Sequence, residues 1–364
     1  MVRPPRELAR GRRWHPFWLV AAALAAATPG AFAFTLLSSN QIPFLDVDHA
    51  PMGACSTLAY GLTGASGPWA ASRGDWCGLG TSSGAIPGNN GGGGVLIAVA
   101  TGGTVQALPF MASPASIASS ATYFADANTH RVLTPCTDQW TIDNAGLVFT
   151  HYTPAWHMPS LSAATLAEKQ RFFLPATMIQ FTVHNTNNTP EDFYFGLPAA
   201  ATQTSFASGA YQGFVAGEAV LAVPTGSCDL LAGASLTAAL NGMSRGFAFH
   251  LAVPAGQTRS LTVAVAFYRS AVVDSRISAS YYYTSLFSSA DSVVQAAFAG
   301  FADAQARCQQ LASAMANAGL NAYRQFLACH ALHSYMANTV CLIDPAGNVY
   351  WRVTEGNYNL TFWR

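Results

Sequence analysis

A period of two dominates the first three quarters of the chain. From Thr177 to Val183, Ile179, Phe181 and Val183 alternate with Met178, Gln180 and Thr182, which puts one apolar set on a single face of a strand. The polar run Asn185-Thr186-Asn187-Asn188-Thr189-Pro190 follows as a turn, and Phe193 to Leu197 reads as the returning strand. Leu261, Val263, Val265 and Phe267 repeat the alternation behind the turn Pro254-Ala255-Gly256. Shorter runs of the same kind occupy 95–100, 147–152, 219–223 and 246–253. Many short strands with Gly and Pro between them predict a mainly β fold, an N-terminal β-sandwich over residues 34–277.

The period changes near Ser278. Val294, Phe298, Phe301, Cys308, Leu311 and Met315 follow steps of three, four or seven, which align on one helix face, and Gly319 is placed to cap it. A second helix is predicted from Asn321 to about Asn338, then a turn at Asp344-Pro345-Ala346-Gly347-Asn348 and a short strand from Val349 to Val353. Residues 278–364 therefore form a short helical segment, too small to bury a core of its own. Val294, Phe298, Phe301 and Leu311 are expected to lack partners there, which favours a dimer through the exposed helical tail, or instability. Removal of residues 320–364 is expected to leave the sandwich nearly as stable as before.

The amino terminus reads as an address. Arg3, Arg6, Arg10, Arg12 and Arg13 precede an apolar run from Phe17 to Ala27, Pro29 and Gly30 break it, and Ala31-Phe32-Ala33 offers small residues for cleavage. That order predicts a secretory signal over residues 1–33 and a secreted or periplasmic location. The rival, a permanent anchor, would need an apolar run of about 20 residues. Charged residues are only 9% of the 364 and cancel to zero, which excludes an electrostatic footprint for nucleic acid or for an anionic membrane after the signal is removed. Seven cysteines show no CxxC pair and no zinc-finger spacing. In an oxidising compartment they can pair, with at least one thiol left over.

Candidate chemistry is sparse. The glycine-rich stretch Gly88-Asn89-Asn90-Gly91-Gly92-Gly93-Gly94 lacks the Lys-Ser/Thr of a phosphate loop and precedes a strand. Asp46-Val47-Asp48-His49 has no second ligand cluster near it in the sequence, so a strand end with a structural histidine fits it better than a metal site. His330 and His333 share a helix face, which suits metal ligation or a pocket wall, but no carboxylate accompanies them. No Gly-x-Ser-x-Gly elbow is present. Neither a metal nor an organic cofactor is called for. Glu355 stands out: it follows a short strand, precedes Gly356, and has Tyr350 and Trp351 beside it, and flat rings suit the C–H faces of a sugar. The same pattern also fits an ordinary exposed turn glutamate.

Read together, a series of blocks resembles glycoside hydrolase family 52, the β-xylosidases. They begin at His49-Ala50-Pro51-Met52-Gly53-Ala54 and continue through Phe149-Thr150-His151-Tyr152-Thr153-Pro154, Leu174-Pro175-Ala176 and Val183 to Thr189. Val253-Pro254-Ala255-Gly256, Ala266-Phe267-Tyr268-Arg269 and Ala279 to Thr284 follow, then Cys329 to Thr339 and Trp351 to Tyr358. The resemblance implies an N-terminal β-sandwich followed by the start of an (α/α)6 barrel, and retaining hydrolysis of β-xylosides or xylo-oligosaccharides. It puts the nucleophile at Glu355 and makes His49, His330, His333, Asn338 and Trp351 candidates for the sugar pocket. Thr354 and Asn357 depart from the family's Asn and Glu around that nucleophile. The family's general acid is an aspartate deep in the barrel, so the chain is expected to be a truncated form that lacks it. The alternative is a non-catalytic, secreted β-sandwich that binds sugar or a partner.

Overall fold

The computed structural model describes residues 96–107, 122–123, 128–152, 154, 156–157, 160–197, 203–216, 219–240, 246–272, 274–337 and 339–353. The chain divides into Met1–Thr35 and Leu36–Arg364, and every described residue belongs to the second part. The predicted signal, the glycine-rich stretch, His49 and Glu355 lie outside the described residues.

The described part opens with six strands: β1 (Leu96–Thr101), β2 (Thr104–Ala107), β3 (Thr122–Tyr123), β4 (Thr129–Leu133), β5 (Thr137–Ile142) and β6 (Leu147–Tyr152). Helix α1 (Leu166–Phe172) separates them from β7 (Ala176–His184), β8 (Glu191–Leu197), β9 (Gln203–Ser208), β10 (Tyr211–Ala216), β11 (Ala219–Pro224) and β12 (Asp229–Ala232). After α2 (Ala234–Ala239) come β13 (Phe247–Val253), β14 (Thr258–Phe267) and β15 (Ser280–Tyr281). Three helices, α3 (Ala290–Ala299), α4 (Phe301–Ala316) and α5 (Ala322–Ala337), lead to the hairpin β16 (Thr339–Ile343) and β17 (Val349–Val353).

The fold is mainly β, with almost wholly antiparallel sheets. A six-stranded sheet runs β12-β13-β8-β1-β2-β3, an eight-stranded sheet β4-β5-β6-β7-β14-β11-β10-β9, and a three-stranded sheet β15-β16-β17. The predicted turn and following strand are present, but β8 does not pair with β7: β7 ends at His184, the Asn185 side-chain amide donates to the carbonyls of Thr189 and Val253, and β8 crosses to the other large sheet. Gly146, with φ +55°, turns the chain between β5 and β6, and any side chain there would run into the carbonyl oxygen of His184.

The period of two sorts side chains between two cores. Ile179, Phe181 and Val183 on β7 join Leu261, Val263 and Val265 on β14 in a first core, which the six-stranded sheet closes with Phe193, Phe195, Phe247 and Phe249. Rings meet across that layer: Phe181 lies 4.7 Å from Phe195 and 5.2 Å from Phe193, and Phe214 lies 4.3 Å from Phe247. Ala176 and Met178 on β7 and Ala264 and Ala266 on β14 belong to a second core, with Tyr281, Tyr283, Val293, Val294, Cys341 and Leu342.

That second core corrects two expectations. The helical face read as continuous belongs to two helices, because Gly300 ends α3 and starts α4, and α4 itself is capped at Asn317 while Gly319 sits two residues on with φ +70°. Three of the four residues expected to lack partners have them: Val294 is fully buried, Phe298 stacks on Tyr211 at 4.5 Å, and Phe301 meets the edge of Tyr152 at 5.3 Å. Helix α3 packs on β14, β7 and β11, so it covers a sheet face. The five described cysteines, 136, 228, 308, 329 and 341, stand as thiols; Cys55 and Cys77 lie outside the described residues.

Candidate active site

The strand preceding Glu355 is held firmly. The β16–β17 turn is built on Asp344, whose Oδ1 accepts the backbone N–H groups of Ala346 and Asn348, both at 2.9 Å. Its Oδ2 accepts the Asn348 side-chain amide at 2.9 Å and the Tyr350 hydroxyl at 2.8 Å. These bonds, the Asn348 side chain foremost, hold the Asp344 carboxyl below its ordinary range. Asp344 is thus an ionised acceptor near neutral pH and no proton donor.

Pairing in the hairpin sets what comes together. Thr339 is the partner of Val353, Cys341 of Trp351 and Ile343 of Val349, while β15 pairs with the other edge of β16. The last described residue of α5, Ala337, therefore stands at the end of the hairpin where β17 exits toward Glu355. On α5, at 1.5 Å per residue, His333 is about 6 Å and His330 about 10 Å along the axis from that end. Asn338 falls between α5 and β16, outside the described residues. Trp351 is 45% exposed on β17, and its ring packs 5.6 Å from Phe173 and 6.4 Å from Phe172. Sequence reasoning had set Trp351 beside Glu355; that it backs onto the end of α1 was not legible, because 178 positions separate Phe173 from Trp351.

Two grooves flank α4, and neither was anticipated. One, of about 360 Å³, is lined by Tyr152, Trp156, Arg171, Phe172, Met178 and Asp303. The Arg171 guanidinium lies 4.7 Å above the Trp156 ring and 3.1 Å from Asp303, a half-exposed pair whose worth is about 1 kcal/mol or less. The other, of about 550 Å³, is lined by Gln139, Thr150, Gln305 and Gln309 with Thr134 and Thr137, a rim of amides and hydroxyls without charge. Gln139 donates to the Thr150 hydroxyl at 3.0 Å, and Gln305 to the Gln180 amide oxygen at 3.3 Å. Only the spread of Thr and Gln over the outward positions of β5 and β6 hints at it in the sequence.

The described carboxylates with resolved partners hold structure in place. Glu168 closes a capping box with Thr165 at the start of α1, and the Thr165 backbone N–H is the main cause of its lowered pKa. Asp274 accepts two bonds from the Arg276 guanidinium, at 3.0 and 2.9 Å. Asp192 and Asp229 flank His250 from neighbouring strands, at 2.8 and 3.2 Å. Among the described residues no three His, Cys, Asp or Glu side chains are grouped to hold a metal ion, and no helix is long and apolar enough to cross a membrane.

The family model described as glycosyl hydrolase family 52 matches residues 74–362, a span that contains both cores, the helices and the hairpin. A β-xylosidase of Geobacillus stearothermophilus is 26% identical over 357 residues, 87% of this chain and 48% of its own length. A second β-xylosidase from the same organism is 25% identical over 246 residues, 61% of this chain and 38% of its own length. The chain thus spans about half or less of the length of these relatives.

Proposed function

Because the chain belongs to glycosyl hydrolase family 52, we propose that it carries the nucleophile of a retaining β-xylosidase, Glu355, and acts on β-xylosides or xylo-oligosaccharides. The observation that carries this reading is the hairpin within the family match, whose pairing of Thr339 with Val353 brings the end of α5 and the exit toward Glu355 to one place. A carboxylate there would attack the anomeric carbon of a β-xyloside with inversion, expel the aglycone and form an α-linked xylosyl ester, and a second inversion by water would release xylose with its β configuration retained. His330, His333 and Asn338 approach the same end of the hairpin along the chain and would bind the sugar hydroxyls, with His49 added from the front of the chain. Trp351, half-exposed and backed by Phe172 and Phe173, offers a fixed flat ring to a sugar face.

In this reading the two facing sheets are the family's β-sandwich, and the helices with the hairpin are the first elements of its (α/α)6 barrel. Retaining hydrolysis needs a second carboxyl about 5–5.5 Å from the first to protonate the leaving oxygen. We assign that acid to the half of the family's length that this sequence does not cover. The predicted signal would export the protein to where xylan fragments occur. A second reading, a non-catalytic sugar-binding module, is favoured by the charge-free groove lined by Gln139, Thr150, Gln305 and Gln309.

The test is release of nitrophenol from an aryl β-D-xyloside by the folded chain beside a Glu355→Gln control. An activated leaving group needs little protonation, so loss of the acid, normally about 10²–10⁴ in rate, matters least there. Release by the parent and none by the control is the expected result. Silence from both, in protein shown to be folded, transfers the assignment to the binding module.

A further inference from the structure

Three cysteines from three separate elements converge under the helical layer. Cys136 occupies the tight turn between β4 and β5, where the Thr134 hydroxyl oxygen accepts the backbone N–H of Cys136 at 3.4 Å and of Thr137 at 3.1 Å. Cys308 is on the inward face of α4 and Cys329 on α5, and all three are at most 2% exposed. The Cys308 thiol donates to the backbone carbonyl of Cys136 at 3.5 Å, across 172 positions of sequence.

We propose that Cys136 and Cys308 form a cross-linking site, oxidised to a disulfide by a low-molecular-weight disulfide while the chain folds, which fastens α4 to the β4–β5 turn. One protein thiolate attacks the small disulfide, making a mixed disulfide and expelling one small thiol. The second cysteine gives its proton to solvent and displaces the other half. Two protein thiols are oxidised and one small disulfide is reduced to two thiols, with no further reactant. The Cys308 sulfur already adjoins the backbone carbonyl of Cys136, which makes Cys308 the preferred partner.

Burial also dictates when the bond forms. The thiol of Cys308 is held up by its hydrogen bond to Cys136 and by desolvation, and burial lifts that of Cys329 to about 11. Little thiolate exists at either position in the finished fold, and no small disulfide reaches them there, so exchange is confined to folding. The proposal stands apart from the assignment of Glu355 and survives its failure.

The test uses the full chain, reduced and unfolded, then refolded in a glutathione buffer containing oxidised glutathione, with remaining thiols alkylated at the end. Trypsin separates the three cysteines, because cleavage after Arg131, Lys169, Arg307, Arg324 and Arg352 yields peptides 132–169, 308–324 and 325–352. A disulfide joining peptide 132–169 to peptide 308–324 in most of the folded protein is the expected result. The same folded material should melt several degrees above its reduced, alkylation-free counterpart, as closure of so long a loop implies. Oxidised glutathione added to protein folded beforehand should cross-link it at least tenfold more slowly. Folded protein with peptide 132–169 unlinked, or joined to peptide 325–352 instead, overturns the proposal. Because parent protein is compared in two redox states, the result does not depend on a Cys308→Ala variant being able to fold.

Discussion

Phe181 spans the gap between the two large sheets, with its ring 5.9 Å from Phe149 on its own sheet and 4.7 and 5.2 Å from Phe195 and Phe193 opposite. A cavity there is surrounded by rings held on two sheets, which cannot close in without moving strands. Phe181→Ala is therefore expected to cost about 3–5 kcal/mol, read as a drop in urea midpoint at unchanged slope. Asp344 gives a different signature. Its carboxyl is held below the ordinary 3.8, so the native state favours the ionised form and gains stability that is fully present above that value. That gain is lost as the pH falls through the depressed native value. Asp344→Ala should thus be less stable than the parent at pH 7, with the gap narrowing below pH about 4 in thermal melts across pH. At this scale the sequence was informative where a side chain acts on its near neighbours, as in the Asp344–Asn348 turn. It was silent where partners come from far off, as with Arg171 and Asp303 or with Asp192, His250 and Asp229.

Among the elements, the strands were legible because alternation is a local signal: β7 and β13 begin and end within a residue of where the pattern places them, and β14 ends where it does but begins three residues earlier, at Thr258. The helices were legible as helices, but not the break between α3 and α4. Steps of three, four and seven from Val294 to Met315 remain in phase across Gly300, so the periodicity does not register the interruption. The tail looked partnerless for the same reason that the Arg171 groove was invisible, since its partners are Tyr152, Tyr211 and strands β7, β11 and β14. Cys341 and Leu342 on β16 are fully buried in the second core. The expectation that residues 320–364 could be removed at little cost does not survive this packing. Leu342→Ala should cost about 2–5 kcal/mol, and deletion of 320–364 should lower Tm by much more than a few degrees in a calorimetric scan. An unchanged Tm on deletion would show that α3 alone seals the sheet.

At the scale of the molecule, mainly β character followed from strand spacing alone, while the division of side chains between two cores did not. Alternation says that β7 has two faces; it cannot say that the face of Ala176 and Met178 meets helices instead of water. Around the candidate site, helix α5 and strand β17 were legible as local patterns, while the pairing of Thr339 with Val353, which sets the end of α5 beside the exit of β17, is a matter of register. Strands β7 and β14 now acquire a second meaning. They are a party wall: one side belongs to the core between the sheets, the other to the core under the helices. A wall with rooms on both sides cannot be opened from one alone, so the helices and sheets should come apart as a single cooperative unit. In native-state hydrogen exchange, backbone amides of Ile179 and Val263 should open only with global unfolding, and amides of α3 should merge with them in mild denaturant rather than exchanging earlier. The β16–β17 hairpin, resting against that wall through β16, would then keep its shape for as long as the whole domain does.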